Sequence, residues 1–298
     1  MKRRLFTLAA ASAALAACAP FTPAPRVTYV LVHGAFQDER AWSEIKPRLE
    51  AAGHRVVTVQ LAGRGSQPGP VEQISLNTYR DQVAALVRAQ PGPVVLVGHS
   101  FGGITISAVA EAVPEKVRTL VYVAAYLPAA GLPDQSMAKL AESDQWNAFN
   151  KQRQNFILAK DYKTAGVLED DIVMLFCGDC SPADQQRTKR EFFQREPLAP
   201  AATPVQLTVA RFGQVDKVYI RTALDRAISP QLQDQMLARL AELDAKQLWQ
   251  KNQVKEYYSE LTDIVRGYIE LRFSTPALEL TTDELLYKAK MHRELQPY

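Results

Sequence analysis

The stretch PVVLVGHSFGG, at residues 93–103, decides the fold. Four apolar residues, 94–97, lead into the pattern G-x-S-x-G, and a helical segment of small residues follows. In this strand-to-helix context the pattern predicts a turn so tight that its two glycines must lack side chains. Such a turn lifts the Ser100 hydroxyl above the sheet and aims the Phe101 N–H at the same space. The sequence therefore predicts a nucleophilic serine at Ser100, and the alternative is a glycine-rich turn with an incidental serine.

Apolar strands alternate with amphipathic helices on both sides of this stretch. The β-branched runs predict strands at 27–32, 55–60, 94–97, 117–124 and 217–220. Helical spacing of apolar residues predicts helices at 42–52, 76–87, 102–113 and 230–240. This alternation predicts an α/β fold with a mainly parallel sheet and helices on both faces. Right-handed crossovers place the ends of the strands at one edge, so the loop at 33–36 and Ser100 are expected together.

The alternation lapses between residues 129 and 204. Scattered apolar residues there suggest short helices, and a proline-rich segment leads back to the sheet. We predict an inserted helical cap at 129–204 over a core formed by 27–128 and 205–298, which would exclude water and shape a pocket. The alternative is a long excursion without a role in binding.

The first 26 residues are predicted to lie outside the folded domain. Basic residues at 2–4 precede an apolar run at 5–16, which is typical of a bacterial export signal and fits either Sec or twin-arginine export. The run ends in Leu-Ala-Ala-Cys, so we expect removal of residues 1–17, lipidation of Cys18 and a proline-rich tether at 18–26. Ordinary cleavage after the small residues at 14–16 is the alternative. The predicted location is the periplasm, with attachment to a membrane through the lipid alone.

Charge and cysteine content exclude several function classes. Beyond the predicted signal, 32 basic and 32 acidic side chains remain, which gives no reason to expect a nucleic-acid partner. Cys177 and Cys180 form a C-x-x-C pair without a thioredoxin-like context or a second ligand pair. We therefore assign the pair no redox or zinc role and expect a local disulfide, with free thiols as the alternative. No metal and no organic cofactor are predicted.

Serine needs a base and an oriented acid to act as a nucleophile. Asp225 follows the predicted strand at 217–220, where this fold places its acid, although a loop aspartate is commonly only a turn residue. The oxyanion hole needs two N–H groups, and we assign them to Phe101 and to Ala35 in the loop after the first strand. His33 precedes Ala35 and lies on the wrong side of the order serine, acid, histidine. It is expected to brace the loop.

Four motifs in order resemble the α/β-hydrolase superfamily, and they are found at 29–36, at 53–57, at 93–103 and at 217–225. The chain resembles most the branch of plant methyl-ester esterases, hydroxynitrile lyases and their bacterial relatives, over about residues 27–240. The resemblance implies hydrolysis of small, largely apolar esters through an acyl-enzyme. Ser100 would be the nucleophile. The lyase members carry a threonine where this chain has Gly34 and a lysine directly after the catalytic histidine, and the absence of both favours an esterase.

The C-terminal segment departs from that family. The family places its histidine about thirty residues after the acid, but residues 241–264 contain none. A last strand is predicted at 267–273, and His292 lies in a predicted helix at 282–295, on a face shared with apolar residues. His54 and His99 read as structural, so His292 is the remaining candidate for the base. The other hypotheses are a relative that binds an apolar ligand without catalysis, and a lyase. The oligomeric state is left open.

Overall fold

A computed structural model describes residues 26–64, 67, 69–144 and 156–245 of the chain. The predicted signal and tether, Cys18, the predicted last strand and His292 all lie outside these residues. The boundaries proposed above for signal, core and cap therefore stay predictions. Among the described residues, no helix is both long enough and apolar enough to cross a membrane.

The core is a five-stranded parallel sheet in the order β2-β1-β3-β4-β8. Its strands agree closely with the five predicted from the sequence, because each is an apolar run covered on both faces. The third strand extends to His99, so it leads directly into the serine turn. The strands are β1 Thr28–Val32, β2 Arg55–Val59, β3 Val94–His99, β4 Val117–Val123 and β8 Asp216–Ile220.

Helices pack on both faces of this sheet. One face buries α2, α3 and α8 in the larger core, and the other buries Trp42 together with α1. Trp42 belongs to a separate 3-10 turn, Glu39–Trp42, rather than to the helix predicted at 42–52. The core helices are α1 Ile45–Ala51, α2 Leu76–Arg88, α3 Gly102–Ala112 and α8 Pro230–Ala245. Further 3-10 turns are Val71–Gln73, Pro114–Lys116 and Phe212–Gln214.

The segment predicted to be a helical cap also contains a small antiparallel sheet. Its strands pair in the order β5-β6-β7. The sequence analysis missed this sheet because its strands are only two to four residues long and show no clear alternation. The elements are α4 Met137–Glu142, β5 Phe156–Leu158, β6 Thr164–Val167, α5 Glu169–Phe176, α6 Pro182–Glu191, β7 Glu196–Pro197 and α7 Leu198–Ala202.

Candidate active site

Ser100 lies in the sharp turn between β3 and α3. Its φ angle is +53°, a left-handed conformation that is rare for a residue with a side chain. A Cβ added to Gly98 or Gly102 would come within 2.7 Å of backbone atoms, so both positions require glycine. The Ser100 N–H donates to Val123 O at 3.2 Å, and its carbonyl accepts from the Tyr126 N–H at 3.1 Å. The end of β4 and the segment that follows it thus hold the strained turn in place.

The loop after β1 passes directly against this turn. A Cβ on Gly34 would lie 2.8 Å from Ser100 Cβ, so the absence of a side chain at Gly34 is what lets the loop approach the serine. Ala35 follows immediately. Within the described part of the chain, neither the Ala35 N–H nor the Phe101 N–H donates a hydrogen bond. Both amides assigned to the oxyanion hole are therefore unused and lie close to Ser100 in the chain or in space.

Asp225 lies in the loop between β8 and α8, and its carboxylate is surrounded by donors of its own loop and of α8. Oδ1 accepts from the N–H groups of Ala227 and Ile228 at 2.8 and 2.9 Å. Oδ2 accepts from the Thr222 hydroxyl at 2.8 Å and from Gln233 Nε2 at 3.3 Å. A carboxylate offers about four acceptor sites. An imidazole that approached Asp225 would have to displace one of these donors.

His33 is fully buried beneath the loop after β1. Its Nε2 accepts from the Leu61 N–H at 3.3 Å, so Nδ1 carries the proton and donates to Gly34 O at 2.9 Å. Burial, together with the nearby Arg64 guanidinium, lowers the pKa of His33 to about 3. His33 is thus a neutral brace of the loop, in the role that the sequence suggested.

The two other described histidines are also engaged away from the serine hydroxyl. His99 Nδ1 hydrogen-bonds Gln37 Oε1 at 2.9 Å, and burial lowers the pKa of His99 although the charge of Asp225 opposes the shift. The half-buried His54 ring packs against Tyr29 with a centroid distance of 5.2 Å. Within the described residues no group hydrogen-bonds Ser100 Oγ. The remaining histidine, His292, is outside the described residues.

Two residues under the same loop were missed by the sequence analysis. Arg64 and Glu196 form a buried ion pair, with residue exposures of 1% and 5%. Arg64 follows β2 at the edge of the sheet where Ser100 also lies, and this position is a signal that the sequence did contain. Glu196 lies in the proline-rich return from the cap and is 132 residues away from Arg64 along the chain. No local pattern connects the two residues.

The cap contacts the site through Phe36. Its ring stacks on Phe192 at 5.2 Å and packs near Phe176 at the end of α5. The structure joins Cys177 to Cys180 in a disulfide, with the Cα atoms 5.2 Å apart, directly after that helix. No group of three or more His, Cys, Asp or Glu side chains suited to a metal ion occurs among the described residues.

Comparison with known proteins agrees with this fold. A family model described as the alpha/beta hydrolase family matches residues 29–254. The chain belongs to this family. Salicylic acid-binding protein 2 of Nicotiana tabacum is 30% identical over 224 residues, which are 69% of this chain and 82% of that protein. Alpha-hydroxynitrile lyase of Arabidopsis thaliana is 27% identical over 219 residues, 67% of this chain and 80% of that protein.

Solved structures show the same fold as this alpha/beta hydrolase. A histidine-to-alanine variant of polyneuridine aldehyde esterase superposes with a TM-score of 0.62 at 23% identity, covering 72% of this chain and 86% of that one. A pyrethroid hydrolase from Sphingobium faniae gives a TM-score of 0.61 at 24% identity, covering 71% and 84%. The chain is therefore an alpha/beta hydrolase related to both esterases and hydroxynitrile lyases.

Proposed function

We propose that this alpha/beta hydrolase is a serine esterase that cleaves small, largely apolar carboxylic esters through an acyl-enzyme on Ser100. The observation that carries the proposal is the left-handed Ser100 turn packed against Gly34, beside two amides that donate no hydrogen bond within the described residues. Relatives named as esterases support the reaction class. The alcohol and acyl groups are left to experiment.

In the proposed reaction, Ser100 Oγ attacks the ester carbonyl carbon while a base removes its proton. The developing oxyanion accepts hydrogen bonds from the Ala35 and Phe101 N–H groups. The tetrahedral intermediate then expels the alcohol, which takes the proton from the base. Water next attacks the acyl-enzyme and gives a proton to the base, and the second tetrahedral intermediate expels Ser100 Oγ, which takes that proton, so that the acid is released. We assign the base to His292 and its orientation to Asp225, with no metal or organic cofactor in the reaction.

A ligand-binding relative without catalysis is the second candidate, and one observation favours it. Asp225 already accepts four hydrogen bonds, and no imidazole in the described residues hydrogen-bonds Ser100 Oγ. Loss of the base with retention of the oxyanion hole would leave only weak residual catalysis. Such a protein would use the space under the cap to hold an apolar molecule.

A fluorophosphonate probe separates these candidates. We expect it to label the wild-type protein and to leave Ser100→Ala unlabelled, with p-nitrophenyl acetate turnover following the same order. His292→Ala should then lower kcat by about 10³-fold or more if His292 is the base. A wild-type protein that is neither labelled nor active would favour the binding protein. Cleavage of a cyanohydrin without ester turnover would instead indicate a lyase.

We also propose that the protein is exported and anchored to a membrane by lipid on Cys18. The support is the sequence pattern at residues 1–18 alone. Labelling of cells with a radioactive or alkynyl fatty acid should mark the wild-type protein and fail to mark Cys18→Ser. Equal labelling of both forms would refute the anchor.

A further inference from the structure

The guanidinium of Arg64 holds the loop after β1 from below. Its Nη1 donates to Gly34 O at 2.9 Å and to Gln37 O at 3.2 Å. Its Nη2 reaches the Tyr79 hydroxyl at 3.3 Å and pairs with Glu196. One buried cation therefore binds two carbonyl groups of the loop that carries Ala35, which joins β1 to the 3-10 turn at Glu39–Trp42.

The geometry of the peptide unit turns this contact into an orientation of the Ala35 N–H. Gly34 C=O and Ala35 N–H belong to the same planar trans peptide, so they point in opposite directions. Because Arg64 and His33 both donate to Gly34 O, the carbonyl is directed into the protein interior. The Ala35 N–H is consequently directed away from Arg64.

Glu196 fixes the next peptide in the same loop. Its Oε2 accepts from the Phe36 N–H at 2.8 Å. The adjacent cap segment adds a second restraint, because the Phe193 N–H donates to Phe36 O at 2.8 Å. These contacts hold Phe36 at a φ angle of +60°, which is unfavourable for a phenylalanine unless its surroundings impose it.

We propose that the Arg64–Glu196 pair positions the Ala35 N–H as an oxyanion-hole donor, with each charge holding one of the two peptides that flank Ala35. The inference rests on the proposed esterase function. Arg64 and Glu196 are positioning residues, because they act through the loop and do not contact the reacting atoms. Ala35 itself has only a methyl side chain, which forms no hydrogen bond, so the orientation of its peptides is set by other residues.

An ion pair suits this task better than neutral groups do. The cation satisfies two carbonyl groups at once, and the anion satisfies an N–H, so the two opposite charges match the two opposite ends of the peptide dipoles. Burying the pair costs desolvation energy, and apolar side chains of similar volume are often as stable or more stable. The pair is therefore explained by what it orients, and the double apolar variant becomes the informative test.

The test compares the double variant Arg64→Met/Glu196→Met with wild type and with Tyr79→Phe. Tyr79→Phe removes a hydrogen bond from the same guanidinium without touching either peptide, so it is the matched control. Thermal unfolding checks the fold. The measured quantities are kcat and KM for p-nitrophenyl acetate and the inhibition constant of an aryl boronic acid, which forms a tetrahedral adduct on the serine.

Removal of one oxyanion-hole donor lowers kcat by about 10²–10³. We therefore expect the folded double variant to lose kcat by at least about tenfold, with KM within about twofold and boronic-acid binding weakened in parallel. Tyr79→Phe should stay within about twofold of wild type in all three. If the double variant does not fold, Arg64→Lys, which keeps the positive charge but replaces the planar guanidinium that binds both carbonyl groups by a single ammonium group, is measured for the same loss.

A folded variant that retains kcat within about twofold overturns the inference. A loss of kcat without weaker boronic-acid binding also overturns it, because that result shows that the variant acts elsewhere than on the oxyanion hole. An inactive and unlabelled wild type refutes the proposed function and this inference with it. The activity of wild type thus tests the function, and the ratio of variant to wild type tests the positioning role.

Discussion

Acid should destabilise this protein through the buried His33 as the pH falls below 6.5. The folded structure accepts only the neutral imidazole, because protonated Nε2 would face the Leu61 N–H and the added charge would lie beside Arg64. Burial is the largest cause of the lowered pKa, which falls to about 3, and the Arg64 charge adds to it. In the unfolded chain the same imidazole titrates near its ordinary value of 6.5.

The sign and size of the effect follow from these two values. Between pH 6.5 and about 3 the unfolded chain binds a proton that the folded protein does not. The stability linked to neutral His33 is therefore fully present above pH 6.5 and is lost as the pH falls toward 3. One pKa unit corresponds to about 1.4 kcal/mol, so the expected loss at pH 5 is about 2 kcal/mol.

Urea unfolding at pH 7.5 and pH 5.0 measures this loss in wild type and in His33→Asn. Asparagine retains a donor near the position of Nδ1 but does not titrate. We expect the variant to be less stable at pH 7.5 and to lose about 2 kcal/mol less than wild type between the two pH values. The half-buried His54 serves as the comparison, because His54→Asn should change the difference much less. Equal pH dependence in wild type and His33→Asn would refute the reasoning.

Three further predictions concern the site and its supports. Gly34→Ala places a Cβ 2.8 Å from Ser100 Cβ, so it should lower the free energy of unfolding by about 1–3 kcal/mol and slow fluorophosphonate labelling. The control Gly92→Ala, which has open space around the new Cβ, should change neither quantity. Replacing Cys177 and Cys180 by alanine should lower the free energy of unfolding by only about 2 kcal/mol, because the disulfide closes a short loop. Urea unfolding measures this loss, and an unchanged urea midpoint would contradict it. Asp225→Ala leaves backbone and side-chain donors without an acceptor, so it should lower the free energy of unfolding by about 1–3 kcal/mol. A thermal unfolding temperature equal to that of wild type would argue against these hydrogen bonds.

Local physical constraints explain which parts could be predicted from the sequence. The turn at Ser100 was predictable because two glycines, an apolar strand and a helix of small residues are all needed within about ten positions. The sheet was predictable because strands covered on both faces must be apolar throughout. The place of Asp225 followed from topology, since every parallel strand ends at the same edge.

Contacts between distant segments could not be predicted in this way. The hydrogen bonds that occupy the Asp225 carboxylate depend on how α8 packs, because Gln233 comes from that helix. The pairing of Arg64 with Glu196 joins a loop of the core to the return from the cap, and neither residue stands in a recognisable motif. The short strands of the cap sheet are stabilised by their partners rather than by their own sequence, which a local pattern does not reveal.

The contact of Phe36 with the cap segment 192–196 has a consequence for protein engineering. Exchange of caps between relatives is a natural way to alter which molecules such an enzyme accepts. In this protein the exchanged piece would carry away the acceptor of the Phe36 N–H and the donor to its carbonyl. A chimera should therefore keep residues 192–196 from the recipient, so that selectivity is varied without disturbing the turnover machinery beneath it.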